Sequence, residues 1–229
     1  MHFAQNHKMT LHSHKRVRAS EAREHIMQVA APLFAKNGYR GVSMRELAQA
    51  VGVTQAALYY YFKDKQELYL GVVDMVLKDV VVHWQEAQQD CQGDPVARLH
   101  AVVSCIIGRL SEDADECLLL QRLLLENNEE HNRVLAQGAF THMFEGLMDL
   151  AQALEIGPES RLWVLSLVSL CFLPFEGRNL IANIPGMGSG TLEPETLINH
   201  VVGLLLPCRY KNRFVVHSNE EQEEPSCAS

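Results

Sequence analysis

The chain has 229 residues, 47% of them apolar and 21% charged, enough for one small and one medium domain with separate cores. No apolar run approaches the roughly 18 residues of a membrane span and no apolar signal core follows the basic N-terminus, which predicts a cytoplasmic protein. The net charge of −8 hides an asymmetry, +5 over residues 1–70 against −13 over residues 71–229, and a basic piece on an acidic body suits a protein that presents one face to phosphate.

Residues 1–19 lack a hydrophobic period and read as a flexible basic arm, its histidines too irregularly spaced for a metal tract. Ser20 is placed to cap a first helix with Glu21 and Glu24 in its opening turn. Ile26, Val29, Ala30, Leu33 and Phe34 follow at helical spacing, Asn37-Gly38 supplies the stop, and Pro32 predicts a kink. Ser43 and Glu46 form a capping box for the second helix, with Val42 and Leu47 as its hydrophobic staple. Asp64-x-x-Glu67 opens a long helix to about Asp90, which spans both charge regimes and reads as the connection to the acidic body.

Beyond it, Asp94-Pro95 starts a helix whose stripe is Leu99, Val102, Val103, Ile106, Ile107 and Leu110. An acidic connection over 111–116 and a Leu-rich helix ending near Asn127-Asn128 come next. One helix is expected over about 129–155, another from Gly157-Pro158 through Leu180, and a last one over 194–206, closed by Pro207. Nothing alternates with period two, so the fold is expected to be all-α with about nine helices. The boundaries read as an arm over 1–19, a helix-turn-helix domain over 20–66, a ligand-binding and dimerisation domain over 67–207, and an acidic disordered tail over 208–229.

The stretch Met44–Phe62 meets each demand of a tight two-helix crossing. Leu47 and Val51 face inward, Ala48 is small where the second helix passes, Gly52 permits a left-handed turn, and Val53 closes the hydrophobic corner. Thr54 caps the second helix, in which Leu58, Tyr61 and Phe62 point back to the core. That leaves Gln55, Ala56, Tyr59 and Tyr60 on the outward face, where the helix fits a DNA major groove. Gln55 can read adenine through a bidentate carboxamide contact, Ala56 can touch a thymine methyl, and the hydroxyls of Tyr59 and Tyr60 can bond phosphate. Lys65 and Ser43 are placed to clamp phosphates at either edge, and Met44, Arg45 and Thr54 complete the candidate contact set.

On these residues, "AAPLFAKNGYRGVSMRELAQAVGVTQAALYYYFKDKQEL" with its "LYYYFKDK" ending, the chain resembles the TetR/AcrR family of bacterial regulators. The resemblance covers about residues 20–70. It implies that three helices bind DNA, that a fourth joins them to a helical effector domain, and that the last two long helices pair with a second subunit. The family often has His where Tyr61 stands, and an aromatic ring there still fills the core.

One such module makes too few contacts to select one site in a genome, so a homodimer on a near-palindromic double-stranded operator is expected. The apolar helices in 162–184 and 195–206 are the candidate dimer surface. A small-molecule effector that prefers one dimer arrangement would release the operator. Its candidate pocket takes Trp84, Phe140, Met143, Phe144, Trp163 and Phe172 as walls, and Arg109, Arg122, Glu126 and His142 as polar anchors. An alternative reading has the same fold without an effector, controlled by a protein partner or by oxidation of Cys105, Cys117 or Cys171. No Gly-rich phosphate loop, nucleophile elbow or paired metal-ligand motif points to an enzyme, a metal or a cofactor.

Overall fold

The computed structural model describes residues 3–126, 128–187 and 189–210, and among these every regular element is helical. The α-helices are α1 (Phe3–Asn37), α2 (Met44–Val51), α3 (Gln55–Tyr61), α4 (Lys65–Gln89), α5 (Pro95–Glu112) and α6 (Ala114–Glu126). They continue with α7 (Glu129–Ala136), α8 (Ala139–Ala153), α9 (Ser160–Glu176), α10 (Arg178–Ile181) and α11 (Pro194–Leu205), with 3₁₀ turns at Gly157–Glu159 and Ser189–Leu192. None of the described helices is long and apolar enough to cross a membrane.

The count exceeds the nine expected because glycines divide two of the predicted helices. Gly138 parts α7 from α8, its N–H turning back to the Leu135 carbonyl at 3.1 Å. Gly177 ends α9 three residues after Pro174. Helix α1 departs in the other direction: it begins at Phe3, so Ser20 lies inside it rather than capping it, and residues 3–19 continue the helix instead of forming an irregular arm. No Gly or Pro precedes Pro32 to stop the helix, and Pro32 itself sits within α1 without ending it. Of the expected acidic tail, residues 211–229 lie outside the described residues, while Arg209 is ordered by a 2.7 Å ion pair to Glu155.

The chain divides into two compact units, the first of residues 1–77 and 115–138, the second of 78–114 and 139–229. The first unit therefore takes in α6 and α7 as well as the helix-turn-helix, beyond the boundary expected at residue 66. Its core joins Ile26, Ala30 and Phe34 of α1 to Leu47 and Ala48 of α2, Leu58 of α3, and Phe62, Leu68 and Val72. Each fully buried Leu or Phe contributes about 1.5–3 kcal/mol. Helix α6 adds a polar clasp on the end of α1: the Arg122 guanidinium donates to the carbonyls of Ala35 and Lys36, and Glu126 accepts the Tyr39 backbone N–H at 2.9 Å.

In the second unit, α5 packs on α8, α9 and α11 and buries the whole stripe from Leu99 to Leu110 read from its spacing. Trp84 is 1% exposed beside Gly146, where an added Cβ would stand 3.4 Å from the indole. Helix α9 buries Val164, Leu167, Cys171 and Phe175 but leaves Leu162, Leu165 and Leu173 facing outward.

Gly52 sets the angle between α2 and α3. It takes φ 77°, and the following Val53 N–H closes on the Ala48 carbonyl at 3.0 Å. A Cβ there would meet nothing within 4 Å, so a substitution is penalised by backbone conformation alone. Gly52→Val is expected to destabilise the protein by about 1–2 kcal/mol or more and Gly52→Asn by clearly less, because Asn tolerates the left-handed region. Denaturant midpoints of the two variants measure the difference.

Candidate nucleic-acid interface

Helix α3 has seven residues and holds its start through Thr54, whose hydroxyl oxygen accepts the Ala57 N–H at 3.1 Å. Its inner side is anchored by Leu58 and by Phe62 just beyond its end, both 0% exposed. Arg23 stacks over the Phe62 ring at 4.4 Å and pairs with Glu67 at 3.1 Å, tying α1 to the start of α4. Glu67 also accepts the Lys63 N–H at 2.9 Å, while Asp64 accepts the Glu67 N–H at 2.8 Å, so the carboxylate-led start read from the sequence is formed.

The outer side of α3 is open. Gln55 and Ala56 are exposed, Tyr59 is 47% and Tyr60 75% exposed, and Tyr60 meets the half-buried Tyr61 edge-on at 5.1 Å. Arg45 on α2, Arg40 before it and Lys63 after α3 are exposed as well. The remaining candidates are placed differently. Met44 is buried at 7% exposure and belongs to the core. Ser43 donates its hydroxyl to Glu46 at 2.7 Å and accepts the Glu46 N–H at 3.2 Å, while Glu46 also accepts the Ser43 N–H at 2.8 Å. These Ser43 side-chain and backbone bonds hold the Glu46 carboxyl below its ordinary value. The Ser43 hydroxyl is thus committed to the cap, and a phosphate at this edge would be met by backbone N–H groups of α2 or by Arg45.

Lys65 is likewise engaged. Its ammonium donates to the Val42 carbonyl at 3.0 Å and lies 4.4 Å above the Tyr39 ring, which closes the turn before α2 against the start of α4. Val53, expected to seal the hydrophobic corner, is 37% exposed beside the turn. Sequence reasoning missed the part of Tyr39, an isolated aromatic between two helices with no period to mark it.

The candidate effector residues are divided between the two units. Arg122 and Glu126 belong to the first unit and are spent on the clasp to α1 and its following turn. In the second unit, Arg109 pairs with Asp79 at 2.7 Å, and His142 is exposed and faces Glu145 at 3.7 Å. Trp163 donates its indole N–H to the Leu205 carbonyl at 3.0 Å and lines a groove with Glu155 and Arg209. Trp84 is buried; Phe140, Met143, Phe144 and Phe172 are half-buried. Among the cysteines considered for a redox switch, Cys171 is fully buried and its thiol is pushed up to about 12 by that burial, so it stays protonated and unreactive at neutral pH.

Comparison with known proteins follows this division. Residues 26–72, from the middle of α1 into α4, match the model of the bacterial regulatory proteins of the tetR family. The transcriptional regulator AcrR of Shigella flexneri is 31% identical over 103 residues, covering 45% of this chain and 48% of that protein. The chain thus spans about half the length of the curated relatives it matches. Solved structures share the fold over more of the chain. AibR bound to isovaleryl coenzyme A and operator DNA superposes with a TM-score of 0.62 at 21% identity, covering 81% of this chain and 98% of that one. FadR from Bacillus subtilis in complex with stearoyl-CoA gives 0.68 at 17% identity, covering 80% and 97%. The match to the tetR-family model is thus confined to the segment that holds α2, α3 and the start of α4, and the solved structures share the fold of the chain beyond it.

Proposed function

We propose that this protein is a dimeric, cytoplasmic transcriptional regulator that binds a near-palindromic operator through α3 and is released from it by a small molecule bound to the helical body. The observation that carries the reading is the outward face of α3: Gln55, Ala56, Tyr59 and Tyr60 are exposed on a helix whose opposite side is anchored by the fully buried Leu58. Aromatic and carboxamide groups held out from so short a helix match what base edges and phosphates require. Arg45, Arg40 and Lys63 add positive charge on the flanks. The domain division proposed with it is a DNA-facing module reaching to about residue 66 and an effector and dimerisation body beyond.

The dimer surface is assigned to α9 and α11. Leu162, Leu165 and Leu173 recur at helical spacing with exposures of 65%, 57% and 64%, and Leu204 of α11 is 54% exposed. An apolar stripe of this kind on a soluble chain is covered by another surface, and a twofold pairing of the stripe with itself covers it in both copies. The effector class to test first is acyl-coenzyme A, because the structural relatives AibR and FadR were solved with isovaleryl-CoA and stearoyl-CoA.

Three measurements test the reading. On DNA fragments selected from the source genome, Gln55→Ala should lower the preference for the selected sequence by about 1–3 kcal/mol, whereas Arg45→Ala should weaken all sequences alike and reduce the salt slope by about one. Equal losses on selected and random duplexes for Gln55→Ala remove the base-reading role. In analytical ultracentrifugation, the double variant Leu165→Asp, Leu173→Asp should raise the dimer dissociation constant about a hundredfold or more, since each leucine buried in an interface stabilises it by about 1.5–3 kcal/mol. An acyl-CoA present at a hundred times its dissociation constant should stabilise the chain by about 2.7 kcal/mol, read as a rise in melting temperature. No shift with either a short or a long acyl chain excludes that class.

A further inference from the structure

Three aromatic rings from separate elements of the first unit meet behind the helix-turn-helix. Tyr39 lies on the turn after α1, Tyr69 in α4 and His131 in α7. Tyr39 stands edge-on to His131 at 4.9 Å between ring centroids, Tyr69 is 5.4 Å from His131, and the two tyrosine rings are 5.2 Å apart. Phe34 of α1 closes the cluster edge-on to Tyr69 at 5.1 Å. His131 is 2% and Tyr69 1% exposed.

The cluster contains two unsatisfied polar atoms. His131 Nδ1 and the Tyr69 hydroxyl are both buried without a hydrogen bond. Such a site tolerates a neutral imidazole, which leaves one nitrogen as a bare acceptor, far better than an imidazolium, whose second N–H would find no acceptor. We propose that His131 is a proton-sensitive latch: neutral, it seats α7 on Tyr39 and Tyr69 behind the DNA-facing helices, and protonated, it is driven out of that seat, loosening the module.

The charged groups around the latch come from each element that meets it. Glu126 of α6 and Glu130 of α7 attract a proton to His131, while burial and the same Glu126 carboxylate keep the Tyr69 hydroxyl protonated against the smaller opposing pull of Arg122. On the Tyr39 side stand Lys65, above its ring, and Asp64, while Asp74 of α4 faces the end of α7 at Gly138. Glu126 is already occupied by the Tyr39 N–H, and Glu130 is exposed, so neither replaces the water that an imidazolium loses on burial. Burial accordingly outweighs the two carboxylates and holds His131 below its ordinary value of 6.5. The sign follows: the released state takes up the proton first, so the packed state is fully favoured above about pH 6.5 and loses ground as pH falls from there toward the lowered value.

The DNA-affinity part of this inference rests on the proposed regulator function; the stability part does not. The experiment uses the full chain, with His131→Phe keeping a ring and removing the titration, and His131→Gln as a second variant in case the first fails to fold. The wild-type His131 proton resonance should titrate with a midpoint below 6.5. Between pH 7.5 and 5.5 the wild type should lose about 2–4 °C more in melting temperature than the variant. Its dissociation constant for a selected duplex should rise by up to about tenfold more per unit of lowered pKa. A His131 midpoint at or above 6.5, or parallel melting-temperature curves for wild type and variant, overturns the latch. Failure to bind any duplex with the stability difference intact overturns the regulator reading instead and leaves the latch standing.

Discussion

Helix α3 cannot keep its own shape. At seven residues it is well short of the dozen or more that a free helix needs in water, so its form is borrowed from what lies beneath it. The support is a close crossing on α2, allowed by the small side chain of Ala48 and the left-handed turn at Gly52, with Leu58 and Phe62 sealed into the core. Gln55, Tyr59 and Tyr60 owe their outward aim to that crossing. A bulkier residue at position 48 would lift the whole face rather than one contact.

The crossing is in turn fixed to the rest of the first unit by polar groups. Arg122 holds the last carbonyls of α1, Glu126 holds the Tyr39 N–H, and Lys65 reaches the Val42 carbonyl just before α2. Helix ends leave carbonyls without partners, and here a guanidinium from α6 supplies them. Hydrogen bonds of this kind are directional. They hold the entry to α2 at one angle in a way that an aliphatic contact does not.

The sequence disclosed the elements whose signals are local. The capping box at Ser43, the carboxylates at Asp64 and Glu67, the Asp94-Pro95 start and the α5 stripe all stand where their residue types require. The misreadings have physical causes. Ser20 looked like a cap because serine commonly is one, yet nothing before it breaks a helix, and α1 runs through. Gly138 and Gly177 sat in otherwise continuous apolar patterns, where one glycine is a weak stop unless the neighbouring backbone finds an alternative partner. Met44, named among the candidate contacts, is buried in the core, and Ser43, read both as a cap and as a phosphate clamp, has its hydroxyl in the capping box. Least legible were the residues that act at long range. Arg122 and Glu126 read as polar anchors for a ligand because a single sequence shows a charge on a helix but not which carbonyls, some 87 residues away, it will meet.

That long-range pairing changes where a signal can enter the module. The chain passes between the two units three times, within α4, between α5 and α6, and between α7 and α8. Two of those passages bracket α6 and α7, the helices that carry Arg122, Glu126 and His131. Within the first unit this pair is held by the hydrogen bonds to Ala35, Lys36 and Tyr39, and those bonds have few intermediate settings: a guanidinium displaced by about 1 Å loses most of a bond that is good only near its ideal length and angle. A body built of aliphatic contacts can shift in small steps, but a polar clasp has made and broken states, which is the bistability a switch needs.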